Sequence, residues 1–263
     1  MTKETDYYTK RNIASWDEVA SIHESINANL SDDVKCESYN NLNPDFNELI
    51  DSYSVKNKSV IQVCCNNGID LISIKKKGAG HCVGVDGSSA FIEQANMLSK
   101  SSGESNIEFF SSDIYDLPAH HESYDIVLIT VGVLGWMPDI NKFMGTCSSL
   151  LAPAGCLLLE DLHPILGMYE EGSPSFIDSS YFNVEPYRDT DGLDYFTYEK
   201  YDAKENFWFH HSLEKILMSA ISYDLTLEHI RELNYNIGNF CADLETAVNN
   251  PPLGINLAWR KNA

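Results

Sequence analysis

The stretch from Ser59 to Glu93, SVIQVCCNNGIDLISIKKKGAGHCVGVDGSSAFIE, constrains this chain more than any other. Residues 59–63 are an apolar run with β-branched side chains, which predicts a buried strand. A short turn over 64–68 follows. Residues 70–76 then carry apolar side chains at Leu71, Ile72 and Ile74, with Lys75, Lys76 and Lys77 where a helix C-terminus favours cations. Gly78 and Gly80 stop that helix. Residues 81–85 are a second apolar strand, and it ends in Asp86. Strand, turn, helix and strand with an acid at the second tip is the layout of a nucleotide-binding βαβ half. An ionised carboxylate only accepts hydrogen bonds, so Asp86 suits a ribose diol.

The turn narrows the ligand. A dinucleotide fold needs three glycines so that backbone can approach a pyrophosphate. Only Gly68 is in place here. Cys64 and Asn66 hold the other small positions, and neither GxGxxG nor GxxxxGK[ST] occurs in the chain. The loop therefore predicts a ligand with a ribose and no phosphate, and it opposes a nicotinamide oxidoreductase.

These residues resemble motifs I and II of class I S-adenosylmethionine (SAM)-dependent methyltransferases. They resemble more closely a bacterial small-molecule subgroup whose Gly-x-Gly-x-Gly loop has become polar, with only its last Gly kept. The resemblance continues at Asn12, Trp16-Asp17-Glu18 and His23, at Tyr124-Asp125-Ile126-Val127, through 132–138, and at His163-Pro164 and His211-Ser212-Leu213, so that it covers roughly residues 7–260. It implies an α/β, Rossmann-like class I methyltransferase fold. That fold has a seven-stranded, mostly parallel sheet with helices on both faces, an N-terminal helical lid and an inserted aromatic-rich cap. One domain is expected: a lid over 1–55, a SAM-binding core over 56–160, a cap over 161–210 and the rest of the sheet over 211–263.

The implied cofactor is S-adenosyl-L-methionine. Its expected contacts are Gln62, Cys64, Asn66, Gly68, Asp70, Asp86, Gly87, Ser88, Ser112, Asp113, Ile114 and Thr130. Gln62 stands where most class I enzymes carry an acid, and a neutral amide accepts from the methionine ammonium without charge assistance. Asp70 is either the substitute anion or the N-cap of its helix. Asn66 contacts the cofactor carboxylate or simply holds the turn. Asp113 follows a third strand at 106–110, where the family holds adenine; its other reading is a cap for the next turn. A fourth strand over 124–130 brings Thr130 and Val131 to the same edge. Ligands of open parallel sheets bind outside the carboxyl ends of the strands, so four separate segments converge there.

Composition excludes some partners. The net charge is −21, and the 18 basic residues are scattered, which opposes nucleic acid as a substrate. No apolar run is long enough for a membrane span, and the N-terminus lacks a signal-peptide core, so a cytoplasmic location is expected. The seven cysteines (Cys36, Cys64, Cys65, Cys82, Cys147, Cys156 and Cys241) form no C-x-x-C, so neither a disulfide framework nor a zinc site is expected. No metal is expected, and His120-His121 reads as an exposed loop pair.

The remaining elements follow in order. A helix is expected over 14–30, another from Asn43-Pro44 to 53, a third over 89–98 with a Ser/Gly loop at 99–105, and a fourth over 140–151 ended by Ala152-Pro153-Ala154-Gly155. Strands are expected over 156–160, 226–232 and 254–260, the last two antiparallel, with a helix over 212–223. Residues 161–210 are rich in Tyr and Phe, and 193–201 with 206–210 read as a hairpin across 202–205. That segment is expected to cap a substrate pocket, or else to extend the sheet or make a dimer contact.

Methyl transfer is an in-line displacement, and positioning supplies much of its rate. A base is needed only if the nucleophile arrives protonated. His163 and His211 are the candidate bases. Tyr7, Tyr8, Trp16, His23, Val131 and Trp136 are the candidate substrate contacts, and an aromatic box for an amine would suit the acidic chain. The first expectation is N- or O-methylation of a small molecule, cationic or aromatic, by a monomer or homodimer. The alternatives are an intramolecular cyclisation of SAM that releases methylthioadenosine, and a SAM-binding protein without catalysis.

Overall fold

The computed structural model describes residues 2–117, 123–172, 174–197 and 199–262. His120 and His121 lie outside them. The helices are α1 (Lys3–Ile26), α2 (Leu30–Asp33), α3 (Pro44–Tyr53), α4 (Ile69–Lys76), α5 (Ser89–Ser102), α6 (Ile140–Leu150) and α7 (Leu213–Ile221). The strands are β1 (Ser59–Val63), β2 (His81–Asp86), β3 (Ile107–Ser111), β4 (Tyr124–Ile129), β5 (Leu151–Leu162), β6 (Tyr169–Glu170), β7 (Phe176–Ile177), β8 (Tyr187–Asp189), β9 (Asn206–Trp208), β10 (Leu225–Leu233) and β11 (Gly254–Lys261). Seven of these strands form one sheet in the order β10-β11-β5-β4-β1-β2-β3. The pairs from β3 to β5 are parallel, while β11 runs antiparallel to both β5 and β10. The strand order reverses between β1 and β4, so the switch point lies beyond Val63 and Ile129.

Parallel strands covered on both faces are apolar almost throughout. One face packs on α6 and α7 through residues such as Phe143, Met144, Ile216 and Trp259; the other packs on α3, α4 and α5 through Phe46, Leu71, Ile72, Ile92 and Leu98. Among the described residues no helix is long and apolar enough to cross a membrane.

Three sequence expectations change. α1 begins at Lys3, well before residue 14, because Thr2 caps it: its Oγ1 accepts from the Thr5 N–H at 3.1 Å. The buried face of its first half is polar (Thr5, Thr9, Asn12, Ser15), so an apolar period could not reveal it. α5 runs on to Ser102 and ends at Gly103, which shortens the expected Ser/Gly loop. β5 starts at Leu151, which pairs with Tyr124; the strands re-register at Ile126↔Cys156, so Ala152–Gly155 bulge out of the strand instead of preceding it.

The cap hairpin also pairs differently. β9 pairs with β8, at Tyr187↔Trp208 and Asp189↔Asn206, and not with 193–201. Two contacts hold 193–197 elsewhere. Asp194 accepts from the backbone N–H groups of Phe196 and Thr197, which makes a turn, and the His23 ring lies 3.0 Å from the Leu193 carbonyl.

Candidate functional site

The β1–α4 turn is built on backbone that only glycine adopts freely. Cys64 and Asn66 have φ of +53° and +51°, beside Gly68 at +76°. Asp86 holds this turn in place. Its Oδ2 accepts from the Asn66 N–H and its Oδ1 from the Ser88 N–H, both at 2.8 Å. Each oxygen keeps a second lone pair for a further donor. Burial pushes the Asp86 carboxyl up, the two N–H bonds oppose this, and nearby Asp17 raises it again. Burial also pushes the Cys64 thiol well above its ordinary value, which fits an inert side chain.

At the switch point Gln62 donates from Nε2 to Thr130 Oγ1 at 2.9 Å, while its buried Oε1 has no partner. Asp70 does not cap α4: Gly68 occupies the N-cap position without a side-chain bond. Asp70 instead accepts from Asn41 Nδ2 at 2.7 Å. Burial raises its carboxyl, opposed by hydrogen bonds with Asn41, Thr130 and Gln62. A carboxyl group therefore does stand beside Gln62, supplied by the helix and not by the strand.

Asp113 does cap the following 3-10 turn, accepting from the Tyr115 N–H at 2.9 Å. Ile114 is buried beside it, and the Ser112 N–H is taken by the Asp86 carbonyl at 2.9 Å. α1 lies across the tip of β2. A Cβ on Gly87 would come within 2.6 Å of Ile13, and Asp17 accepts from the Ser88 hydroxyl at 2.7 Å and the Ala90 N–H at 3.1 Å.

α1 also grips the cap. The buried Asn12 amide accepts from the Phe207 N–H at 2.7 Å and donates to the Phe207 carbonyl at 2.9 Å, as a neighbouring strand would. Trp16 meets Trp136 with ring centroids 5.2 Å apart, and Tyr8 meets Phe207 and Phe209 at 4.8 and 5.2 Å. His23 packs against Tyr195 and Phe196, with centroids 4.7 and 4.9 Å away. Val131 faces the loop between β10 and β11 near Gly238. Tyr7 packs edge-on against Tyr8 at 5.2 Å and against Phe207 at 5.9 Å, is 42% exposed, and carries the Arg11 guanidinium 3.6 Å over its ring. Asn12→Ala leaves two buried backbone groups without partners, at about 1–3 kcal/mol each. Amide exchange across 206–208 should then quicken by at least tenfold, and unchanged protection would show that Asn12 does not anchor the cap.

The two histidines differ. His163 Nδ1 accepts from the Ile165 N–H at 3.1 Å and its Nε2 lies 3.1 Å from the Glu232 carboxylate, so both nitrogens face structural partners. The His211 Nε2 lies 2.8 Å from the Met137 carbonyl, which fixes that nitrogen as the donor and leaves the buried Nδ1 as an acceptor without a partner. Burial pushes His211 down to about 4, so it is neutral near pH 7.

Sequence reasoning missed two neighbouring acids. Asp161 accepts from the N–H groups of Gly132, Leu134 and Leu162 at 2.7–2.8 Å, and so fixes the loop after β4. Burial raises it to about 6 against those bonds. Glu160 is 2% exposed, accepts from Asn43 at 2.7 Å, and is pushed by burial to about 7. The apolar run of β5 hid both acids as ordinary strand residues.

Glu160 gives the protein a pH signature. Its folded value exceeds its ordinary 4.5, so the folded state holds a proton that the unfolded chain releases between pH 4.5 and about 7. Stability should fall as pH rises through that window, by at most about 3 kcal/mol for this group. Denaturant melts at pH 5, 6, 7 and 8 should show the slope, and Glu160→Gln should flatten it.

Comparisons with known proteins agree with this geometry. Residues 60–155 match the family described as a methyltransferase domain. An uncharacterized protein of Rickettsia prowazekii (strain Madrid E) is 32% identical over 110 residues; the match covers 40% of this chain and spans 20% of that protein's length. An S-adenosylmethionine-dependent methyltransferase from Clostridium acetobutylicum superposes with a TM-score of 0.60 at 14% identity, covering 94% of this chain and 99% of the other. The geranyl diphosphate C-methyltransferase of Streptomyces coelicolor A3(2), solved with Mg2+, geranyl diphosphate and S-adenosyl-L-homocysteine, superposes at 0.56 with 11% identity, covering 81% and 77%. At these identities the structures establish the fold.

Proposed function

We propose, from the match of residues 60–155 to a methyltransferase domain, that this chain is a class I SAM-dependent methyltransferase that transfers the methyl group of SAM to a small molecule. One observation carries the reading: a polar loop with two non-glycine residues at positive φ is held by Asp86 at the switch point of a seven-stranded sheet. The residues present fit SAM. Asp86 keeps two lone pairs for a ribose diol, and Gln62 keeps a buried acceptor without a partner. Asp70 adds a carboxyl group beside it.

When bound, SAM supplies a methyl carbon on a cationic sulfur, open to attack in line. The chain's own residues do the rest. Asp86 would hold the ribose, with Gly87 and Ser88 behind it and α1 laid over them as a lid. Cys64, Asn66 and Gly68 supply loop backbone. Asp113 would take the adenine amine with its second oxygen, while Ser112 and Ile114 fix its position and pack beside it. Gln62, Asp70 and Thr130 would hold the methionine end. Trp16, Trp136, Tyr8 and Val131 would exclude water and orient the acceptor, and His23 would secure the lid against 193–196. His163 takes a positioning role, and His211 offers Nδ1 as proton acceptor where the nucleophile arrives protonated.

The aromatic rings packed around Trp16 and Trp136 and the charge of −21 support a small-molecule acceptor. Calorimetric titration with SAM and S-adenosylhomocysteine tests the cofactor, and no heat with either would reject the reading. Mass spectrometry of the sulfur product then tests the reaction. S-adenosylhomocysteine supports transfer, methylthioadenosine means cyclisation, and no product with any amine or phenol means binding alone.

A further inference from the structure

A cavity lies at the other edge of the sheet, where the parallel strands begin. α3 ends at Tyr53, and Ser54, with φ of +52°, turns the chain aside. Cys156, Leu158 and Ala258 belong to the apolar core on the α3–α5 face of the sheet. Side chains alternate along a strand, so Arg260 projects from the same face as Ala258. It is the register partner of Cys156, and its guanidinium lies 5.7 Å from the Tyr53 ring. α3 stops short of this last row of side chains. It leaves a cavity of about 370 Å3 whose walls include Leu49, Tyr53, Lys58, Cys156, Glu228 and Arg260. Leu49 and Cys156 are its buried members. Ligand pockets begin at about 300 Å3, so the space is large enough for a small molecule.

One cation of this cavity has nothing to hold. Arg260 is fully engaged: Nε and Nη2 donate to Glu228 at 2.6 and 2.9 Å, and Nη1 donates to the Ala154 carbonyl at 3.0 Å. The Tyr53 hydroxyl also donates to Glu228, at 3.0 Å. Lys58 is half-buried, and its ammonium is bonded to none of the described residues. Every other half-buried lysine has a partner. Lys75 donates to the Ala79 and Gly80 carbonyls, Lys142 to that of Tyr115, and Lys261 to those of Ser148 and Leu151. Lys76 and Lys77 pair with Glu104 and Asp51. Drawing a charge from water without a partner costs free energy, which sets Lys58 apart. The charges acting on the Cys156 thiol are Arg260, Glu228 and Lys58, two cations to one anion. Arg260 and Glu228 offset each other, so Lys58 sets the sign of the cavity. His229 also lines it and adds positive charge when protonated. This sign is opposite to the net charge of −21.

We infer that this cavity binds a small oxyanion, a carboxylate or phosphate group of a small molecule, on the Lys58 ammonium. Three N–H donors are free there, and lysine holds either group as a point charge. The chemistry is common to both anions. The site goes beyond methyl transfer and does not depend on it, since Lys58 precedes β1 and the loop over 64–68 follows it.

The test is thermal melting of the full chain without SAM, with sodium phosphate or sodium acetate exchanged for sodium chloride at constant ionic strength. Wild type should melt about 2–4 °C higher in the anion that binds. Lys58→Met keeps the length of the side chain and should lose the rise. Lys58→Arg keeps the charge and should retain it. Lys56→Met removes an exposed lysine two residues away and should also retain it. A rise with phosphate alone assigns a phosphate-bearing ligand, and a rise with acetate alone a carboxylate-bearing one. A rise with both assigns a site that takes either. No rise of wild type with either anion, or a rise that Lys58→Met retains, would overturn the inference.

Discussion

Asp86→Ala is expected to abolish measurable binding of SAM and S-adenosylhomocysteine, a loss of more than a hundredfold, and to lower the melting temperature. The size follows from what Asp86 does before any ligand arrives. It accepts the N–H groups of Asn66 and Ser88, and removing it leaves two donors without a carboxylate. Each costs about 1–3 kcal/mol. The loop also carries non-glycine residues at positive φ, a conformation that costs about 1–3 kcal/mol and persists only where its surroundings fix it. Without the clamp, Cys64 and Asn66 have reason to relax, and the loop moves away from the sheet edge. Asp86→Asn should fall between, because its remaining carbonyl oxygen can still accept one of the two N–H groups. Adding Asn66→Gly to Asp86→Ala should recover part of the melting temperature and none of the binding, since glycine removes the strain but supplies no acceptor for a ribose. Wild-type affinity in Asp86→Ala would reject the placement of the ribose.

What the chain revealed in advance follows the same division between backbone and side chain. β1, α4 and β2 were legible to within a residue or two because each is apolar where it is buried and is bounded by Gly68, Gly78 and Asp86. The start of α1 was not legible, since its first buried positions are hydroxyls and an amide whose partners lie in the cap, nearly two hundred residues away in the case of Asn12 and Phe207. The cap hairpin failed for a related reason. Leu193 looks like a strand residue, yet Asp194 turns the chain through its own side chain, and β9 takes β8 as its partner. Glu160 and Asp161 carry no signal within β5, because their burial is decided by Asn43, Gly132 and Leu134 from distant segments. Asp70 shows the limit at one residue: its position in the helix allowed a cap or a ligand contact, and only the fold shows Asn41, Thr130 and Gln62 around it.

Gly84→Ala should destabilise the core through one added methyl, and its cause can be isolated. Gly84 is the register partner of Phe109 across β2 and β3, and the ring folds back over the missing side chain. An added Cβ would stand 2.3 Å from Phe109 Cδ1 and 2.9 Å from Cys65 Sγ. The same ring stands 2.4 Å from where a Gly68 Cβ would be, so one aromatic side chain fills the space left by two glycines and braces the loop from beneath. Overpacking of this kind costs about 1–3 kcal/mol, and a domain of this size loses about 2–4 °C for each kcal/mol. Gly68→Ala adds the cost of a left-handed alanine, about 1–2 kcal/mol, to the same collision. Phe109→Leu removes ring atoms and should by itself cost stability through a cavity. Combined with Gly84→Ala it should cost less than the sum of the two, because the new methyl enters the vacated space. Residues in contact couple by about 0.5–3 kcal/mol, and the coupling here should be favourable. Strict additivity in the double mutant would mean that the ring yields freely, and that the loop 64–68 is held in shape by Asp86 without support from β3.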